Sequence, residues 1–66
     1  MNKKLLRGVL ALHGHNNKNL AELLEITEQS VTNKINGSTE FKQGEIKKIR
    51  VAYNLTAEQI AAIFLN

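Results

Sequence analysis

Hydrophobic residues recur every three or four positions along most of this chain, which is the spacing of amphipathic α-helices. The pattern predicts a compact all-α protein of five helices. Strands are not expected, because the few β-branched residues do not alternate with polar ones. The predicted helices are Asn2–His13, Asn17–Leu24, Glu28–Asn36, Gln43–Tyr53 and a last one from Thr56 to about Leu65.

The central stretch, residues 16–37, reads as two short helices joined by a tight turn, and the rest of the chain is arranged around it. Ala21 is small enough to let the second helix cross the first closely, and Ile26 can fill the angle between them. Thr27 is placed to cap the second helix through its hydroxyl, and Gly37 ends that helix at little conformational cost. The residues expected to face inward are Leu20, Ala21, Leu24, Val31 and Ile35.

The outward face of the second helix distinguishes two interpretations of this hairpin. With the apolar residues turned inward, the helix presents a small, polar and uncharged face. Amide side chains can bond bidentately to adenine edges in the major groove, whereas a merely solvated face would more often carry Lys and Glu. The face therefore favours a DNA-reading helix-turn-helix over a hairpin used only for packing. Its residues are Gln29, Asn33 and Asn36, flanked by Ser30 and Thr32.

Several runs of the sequence point to a known family. These are NLAELLEIT, SVTNKING, the EF of residues 40–41, EIKKI and LTAEQIAAIF. Together they resemble the lambda-repressor-like helix-turn-helix regulators, which include phage repressors, Cro proteins and XRE-type bacterial relatives. The chain is most similar to short phage regulators of Gram-positive bacteria, and the resemblance extends from about Leu5 to Phe64. It implies the five-helix fold of that family, with the helix-turn-helix at about 17–36.

Two positions depart from the family pattern. Glu25 stands in the turn where the family usually has Gly, so we expect a positive φ there at a cost of about 1 kcal/mol. Lys34 stands where the family usually has an apolar residue, one place before Ile35. A slight rotation of the helix is therefore expected, and with it a change in the residues that read bases.

The resemblance also implies which residues contact DNA. In the family, the residue that begins the helix 17–24 contacts phosphate, and here that residue is Asn17. The alternative is that Asn16 and Asn17 only cap this helix. Lys34 is expected on the flank of the next helix, within reach of a phosphate. The loop that follows approaches the DNA backbone in the family. Phe41 is expected to be buried between this loop and the core. The predicted backbone contacts are Asn16, Asn17, Lys34, Asn36, Ser38, Thr39 and Lys42.

Base reading is assigned to the helix that begins at Glu28. Glu28 suits the positive end of the helix dipole, and it could also accept a hydrogen bond from cytosine. The predicted base-reading residues are Gln29, Asn33, Thr32, Glu28 and Ser30.

The first and last helices carry most of the remaining apolar residues. The first has a broad apolar face and ends at Gly14, and the last begins with a capping box at Thr56–Gln59. The last helix is apolar around most of its circumference, so the excess predicts a dimer interface on DNA. The alternative is that the same residues close the core. The first face comprises Leu5, Leu6, Val9, Leu10 and Leu12, and the dimer candidates are Ile60, Ile63 and Phe64.

Composition narrows the classes of protein further. Sixty-six residues make at most one domain, 1–66. The absence of cysteine excludes disulfides, thiol catalysis and cysteine zinc sites. No apolar run is long enough to span a membrane, which makes the cytoplasm the simplest location. His13 and His15 are two positions apart and do not share a helix face, so we expect surface or capping roles, no metal site and no cofactor.

The net charge of +3 permits nucleic-acid binding. Basic residues lie mainly near the N-terminus and in Lys42–Arg50. Lys3, Lys4 and Arg7 either touch phosphate or form a solvated face, and the sequence leaves both open. The cluster formed by Lys47, Lys48 and Arg50 is interpreted as solvation.

The expected function is sequence-specific binding of operator DNA in the major groove by a homodimer. The protein would act as a transcriptional regulator of Cro or repressor type, with a phage repressor as a competing or interacting partner. The alternative is a protein-interaction module on the same fold, such as an antirepressor or a component of a repressor complex. The low charge of the second helix and the nearby Glu22, Glu25 and Glu28 leave it open. An enzyme is not expected, because no residues converge as nucleophile, base and oxyanion site.

Overall fold

The computed structural model describes residues 1–65, which form five α-helices and no strand. The all-helical prediction is confirmed, and the ends of the predicted helices shift by one residue at most. Asn2, His13, Tyr53, Thr56 and Leu65 are caps that flank helices rather than helical residues. The helices are α1 (Lys3–Leu12), α2 (Asn17–Leu24), α3 (Glu28–Asn36), α4 (Gln43–Ala52) and α5 (Ala57–Phe64).

Side chains cap the first turns of α2, α3 and α5, where backbone N–H groups lack helical partners. The Asn16 side chain accepts from the Asn19 N–H at 3.0 Å, and the Asn19 side chain accepts from the Asn16 N–H at 2.9 Å. The Thr27 hydroxyl accepts from the Ser30 N–H at 3.0 Å. Thr56 forms the predicted capping box with Gln59. Each cap is worth about 1 kcal/mol, so these sequence signals fix where the helices begin.

Left-handed residues end α2 and α3. Glu25 has φ 58° and ψ 41°, and Gly37 has φ 87°. The Glu25 conformation confirms the prediction made from its position in the turn. It lets the Ile26 N–H return to the carbonyl of Ala21 at 3.1 Å, so the chain turns within three residues and α3 packs against α2.

The core lies where α2 and α3 meet α1, α4 and α5. Leu6, Leu20, Val31 and Ile49 have no exposed surface. Ile26 packs against this core from the turn. The other buried apolar residues are Leu10, Ala21, Leu24, Ile35, Tyr53, Leu55 and Ile63.

The predicted apolar face of α1 is too broad. Leu6 and Leu10 are buried, but Leu5 is 44% exposed and Leu12 is 86% exposed. Leu5 lies one position before Leu6 and is thus about 100° around the helix from it. Because the core meets α1 on one side, a side chain turned that far from Leu6 extends into solvent.

The predicted dimer candidates on α5 are mostly used by the core. Ile63 is only 2% exposed, and its carbonyl accepts from the Asn2 N–H at 2.7 Å. Ile60 and Phe64 are partly buried and pack against the same core, with the Phe64 ring 5.4 Å from that of Phe41. Ile63 is therefore a core residue and offers almost no surface to a second copy, whereas Ile60 and Phe64 retain some.

We predict that Glu25→Gly stabilises the protein by about 0.5–1 kcal/mol, because glycine adopts positive φ without steric cost but is more flexible when unfolded. The measurement is the free energy of unfolding in urea. Glu25→Gln is the matched control, since it removes the same charge and keeps a side chain at positive φ. A Gly variant no more stable than the Gln variant would show that the turn stores no such strain.

Candidate nucleic-acid interface

The outward face of α3 carries two amide side chains that bond to each other. Gln29 Nε2 donates to Asn33 Oδ1 at 3.0 Å, one helical turn apart. Gln29 is exposed and Asn33 is half-buried. After this bond forms, the side-chain oxygen of Gln29 can still accept a hydrogen bond and the amide NH₂ of Asn33 can still donate. The edge of adenine requires one acceptor and one donor of this kind. Asn36, further along α3, is exposed.

The two predicted hydroxyl residues of α3 are bonded within the protein. Ser30 Oγ accepts from the Thr27 hydroxyl at 2.9 Å. Thr32 Oγ1 donates to the carbonyl of Glu28 at 3.1 Å. Both side chains are half-buried. Each hydroxyl oxygen can still accept another hydrogen bond, but the local bonds restrict the orientation of both side chains. Ser30 and Thr32 therefore offer fewer hydrogen-bonding groups to a ligand than Gln29 and Asn33 do.

The N-terminal ends of α2 and α3 share a shallow cleft of about 360 Å³. Asn16 and Asn17 line it from α2, Glu28 from α3 and Arg7 from α1. The amides and the partial positive charge of the α2 N-terminus favour an anion, whereas the Glu28 carboxylate opposes one. Arg7 adds a full positive charge at the same cleft. The sequence alone did not decide whether this arginine is only solvated or contacts a phosphate.

Lys34 does not lie on an exposed flank of α3, so the prediction of its position is wrong. The residue is 9% exposed. Its ammonium lies 3.1 Å from Glu45 Oε1 and donates to the carbonyl of Glu40, also at 3.1 Å. With the ammonium turned to α4 and the intervening loop, Lys34 is not placed to contact a phosphate. The apolar stem of the side chain is buried with the ammonium.

The segment from Ser38 to Lys42 joins α3 to α4 along the surface. Ser38, Thr39 and Lys42 are exposed, while Phe41 is only half-buried. The Ser38 N–H donates to the carbonyl of Asn33 at 2.9 Å, and the Lys42 N–H donates to Glu45 Oε1 at 2.8 Å. Both ends of the segment are thus bonded to helices, and its polar side chains extend into solvent beside the C-terminal end of α3.

Glu45 is held in its ionised form. Burial alone would raise the pKa of its carboxyl, but the hydrogen bond from the Lys42 N–H and the ion pair with Lys34 outweigh it and lower the pKa below 4.5. The Lys34 and Glu45 side chains are only 9% and 13% exposed. Solvent therefore screens this pair less than it would screen a surface pair.

The histidines pack against Tyr53 beside the C-terminal ends of α1 and α4. His15 Nδ1 lies 2.9 Å from the Tyr53 hydroxyl, and the His13 ring centroid lies 4.9 Å from that of Tyr53. Burial raises the pKa of the Tyr53 hydroxyl. Within residues 1–65, no group of three or more His, Cys, Asp or Glu is arranged to hold a metal ion.

A second ion pair, between Lys48 and Glu25, lies on the surface. Lys48 Nζ is 3.3 Å from Glu25 Oε2, and the two side chains are 48% and 82% exposed. Pairs of this kind contribute about 0–1 kcal/mol. Lys47 and Arg50 are also exposed, in agreement with their interpretation as a solvated face.

Comparison of the chain with protein-family models, with curated proteins and with solved structures yields no match. Among residues 1–65, no helix has the length and apolar character needed to cross a membrane.

We predict that the unfolding free energy of the Glu45→Gln variant decreases less than that of the wild type when the pH is lowered. A carboxyl with a lowered folded-state pKa contributes stability above its unfolded pKa, near 4.5, and loses it as pH falls through the folded value. The difference in unfolding free energy between wild type and the Gln variant should shrink progressively below about pH 4.5. Urea unfolding from pH 7 to pH 3 measures it. Glu58→Gln, at an exposed site on α5, is the control; a difference for Glu45 that stays constant with pH would contradict the ion pair.

Proposed function

We propose that this protein is a sequence-specific DNA-binding regulator with a lambda-repressor-like fold, in which α2 and α3 form a helix-turn-helix and α3 enters the major groove. The observation that carries the proposal is the uncharged amide face of α3. Gln29 and Asn33 lie on the side of α3 opposite Val31 and Ile35, which are buried. Backbone contacts alone would not require amides there, whereas base reading uses them.

The rim of this face supplies groups suited to phosphate. The cleft at the N-terminal end of α3 holds Asn17, the α2 N-terminus and Arg7 beside the Glu28 carboxylate. The segment 38–42, with its exposed Lys42, follows the C-terminal end of α3. Phosphate contacts fix the orientation of a protein on duplex DNA, while base contacts specify the sequence. A polar reading face with such groups near both ends of α3 is consistent with that division of roles.

We further propose that two copies bind neighbouring half-sites, roughly 34 Å apart, as helix-turn-helix dimers do. The buried position of Ile63 limits the α5 contribution to the partly exposed Ile60 and Phe64. Such a contact would be small, which favours dimerisation on DNA over a stable dimer in solution. Operator occupancy by the pair would then block polymerase or a competing phage repressor.

A protein-interaction module is the second candidate. Leu12, Val51 and Leu65 are between 74% and 86% exposed. Exposed apolar side chains of this size are found at protein-binding surfaces, although isolated ones are common on any protein. An antirepressor or a component of a repressor complex would use such residues rather than the amide face.

Selection of bound duplexes from a random DNA pool, at about physiological salt, tests the proposed function directly. We expect enrichment of a short palindrome whose half-sites are about one helical turn apart. A folded protein that enriches no sequence would contradict the proposal and favour the protein-interaction module.

We predict that Asn33→Ala weakens binding to the selected sequence by about tenfold or more and leaves binding to random duplex almost unchanged, because one bidentate base contact is worth about 1–3 kcal/mol. Asn17→Ala is the contrasting variant and should weaken both duplexes equally, as expected for a phosphate contact. Titrations of both variants on both duplexes measure this. An equal loss on the two duplexes for Asn33→Ala would remove its base-reading role.

A further inference from the structure

One buried lysine joins α3 to the segment 38–42 and to α4. Lys34 Nζ contacts Glu45 Oε1 and the Glu40 carbonyl, each at 3.1 Å, and it lies 5.9 Å above the centre of the Phe41 ring. Glu45 in turn accepts the Lys42 N–H at 2.8 Å. Three consecutive loop residues and the next helix thus have direct contacts with one ion pair.

Stability alone does not account for a charged pair at this place. Moving a lysine and a carboxylate out of water carries a penalty that their attraction often only offsets, and well-packed apolar residues can be equally stable or more so. An apolar side chain at position 34 would fill the same space as the lysine stem. It could not, however, donate to the Glu40 carbonyl or hold the Glu45 carboxylate in one orientation. Charged hydrogen bonds fix the geometry of the groups that they join, which apolar packing does not.

We propose that the Lys34–Glu45 ion pair is a positioning device that holds the segment 38–42 in the geometry in which it contacts the phosphate backbone of DNA. The proposal rests on the proposed DNA binding. Lys34 itself contacts no DNA; it acts through the exposed groups of Ser38, Thr39 and Lys42. These project from a backbone that is bonded to Asn33 of α3 at one end and to Glu45 of α4 at the other.

The position of the segment explains why such a device is useful. It follows directly after Gly37, whose φ of 87° ends α3, so any change in its path moves the backbone contacts relative to the base-reading face. A flexible segment would also lose conformational freedom on each binding event, which reduces affinity. A segment ordered before binding avoids that cost.

The chain contains a matched control for this ion pair. The exposed pair between Lys48 and Glu25 has the same residue types and a similar distance, 3.3 Å. We therefore compare Lys34→Met with Lys48→Met, Glu45→Gln with Glu25→Gln, and the two double variants with each other. Each double variant keeps the net charge of the wild type, so that electrostatic attraction to DNA is held constant. Gln at position 45 retains a side-chain oxygen that can accept the Lys42 N–H.

Two measurements are made on every variant. The first is the backbone ¹⁵N order parameter of residues 38–42 in the free protein, which reports motion without reference to DNA. The second is the affinity for the selected and for a random duplex as a function of salt concentration. Circular dichroism and urea unfolding identify the variants that are folded.

We expect the Lys34→Met/Glu45→Gln double variant to be folded with a mobile segment, its order parameters falling from about 0.85 towards 0.6. Its affinity should fall by about tenfold on both duplexes. The slope of log affinity against log salt should become shallower by about one for each phosphate that the segment no longer binds. The Lys48→Met/Glu25→Gln variant should change neither property.

Three results would overturn the proposal. The first is a folded double variant with unchanged order parameters, which means that the ion pair does not order the segment. The second is a mobile segment with unchanged affinity, which means that the segment does not bind phosphate. The third is an affinity of the Lys34→Met/Glu45→Gln variant that decreases no more than that of the Lys48→Met/Glu25→Gln control. If the wild type binds no duplex, the proposed function fails and the phosphate role fails with it, while the order parameters still decide whether the ion pair fixes the segment.

If the Lys34→Met/Glu45→Gln variant does not fold, Lys34→Arg takes its place. Arginine keeps the charge but has a planar, forked head with different hydrogen-bond directions. A positioning role predicts weaker binding with the charge retained, whereas a purely electrostatic role predicts wild-type binding, and the latter result overturns the proposal.

Discussion

The left-handed turn at Glu25 is the constraint on which the rest of the fold depends. Only three residues separate α2 from α3, and the Ile26 N–H returns to the Ala21 carbonyl across the left-handed Glu25, whose φ is 58°. This turn brings α3 against α2, and the fully buried Val31 and Leu20 lie at the centre of the core. The conformation is costly for a residue with a side chain, so the packing between α2 and α3 must compensate for it.

Local signals in the sequence predicted the fold better than they predicted side-chain surroundings. The caps at Asn16, Thr27 and Thr56 were predictable because a capping side chain bonds to a backbone N–H within three residues. The burial of Lys34 was not, because its partner Glu45 belongs to the next helix and periodicity counts every lysine as polar. One general signal exists: a lysine has a long apolar stem, which can be buried where its ammonium meets a carboxylate.

The same limitation applies to the candidate interface. The outward position of Gln29 and Asn33 followed from helical periodicity alone, since Val31 and Ile35 had to face the core. The grouping of Arg7 with the N-terminal ends of α2 and α3 required the packing of α1 against the hairpin, which is a long-range arrangement. Periodicity therefore gives the faces of individual helices, and tertiary structure decides which faces combine into one surface.

The distribution of charge around the outward face of α3 determines which groups could supply affinity for DNA and which could supply sequence specificity. With Lys34 turned inward to Glu45 and Lys48 paired with Glu25, two of the nine basic residues are engaged by carboxylates. The outward face of α3 carries the amides Gln29 and Asn33, so under the proposed function the attraction to a duplex comes from the charged groups near the two ends of α3. Such charges act on any DNA sequence and weaken as salt rises, whereas the amides act only where a matching base edge lies opposite. Under the proposed function, a face of this composition would gain little on non-matching DNA, and weak binding elsewhere helps a regulator to find one site among many.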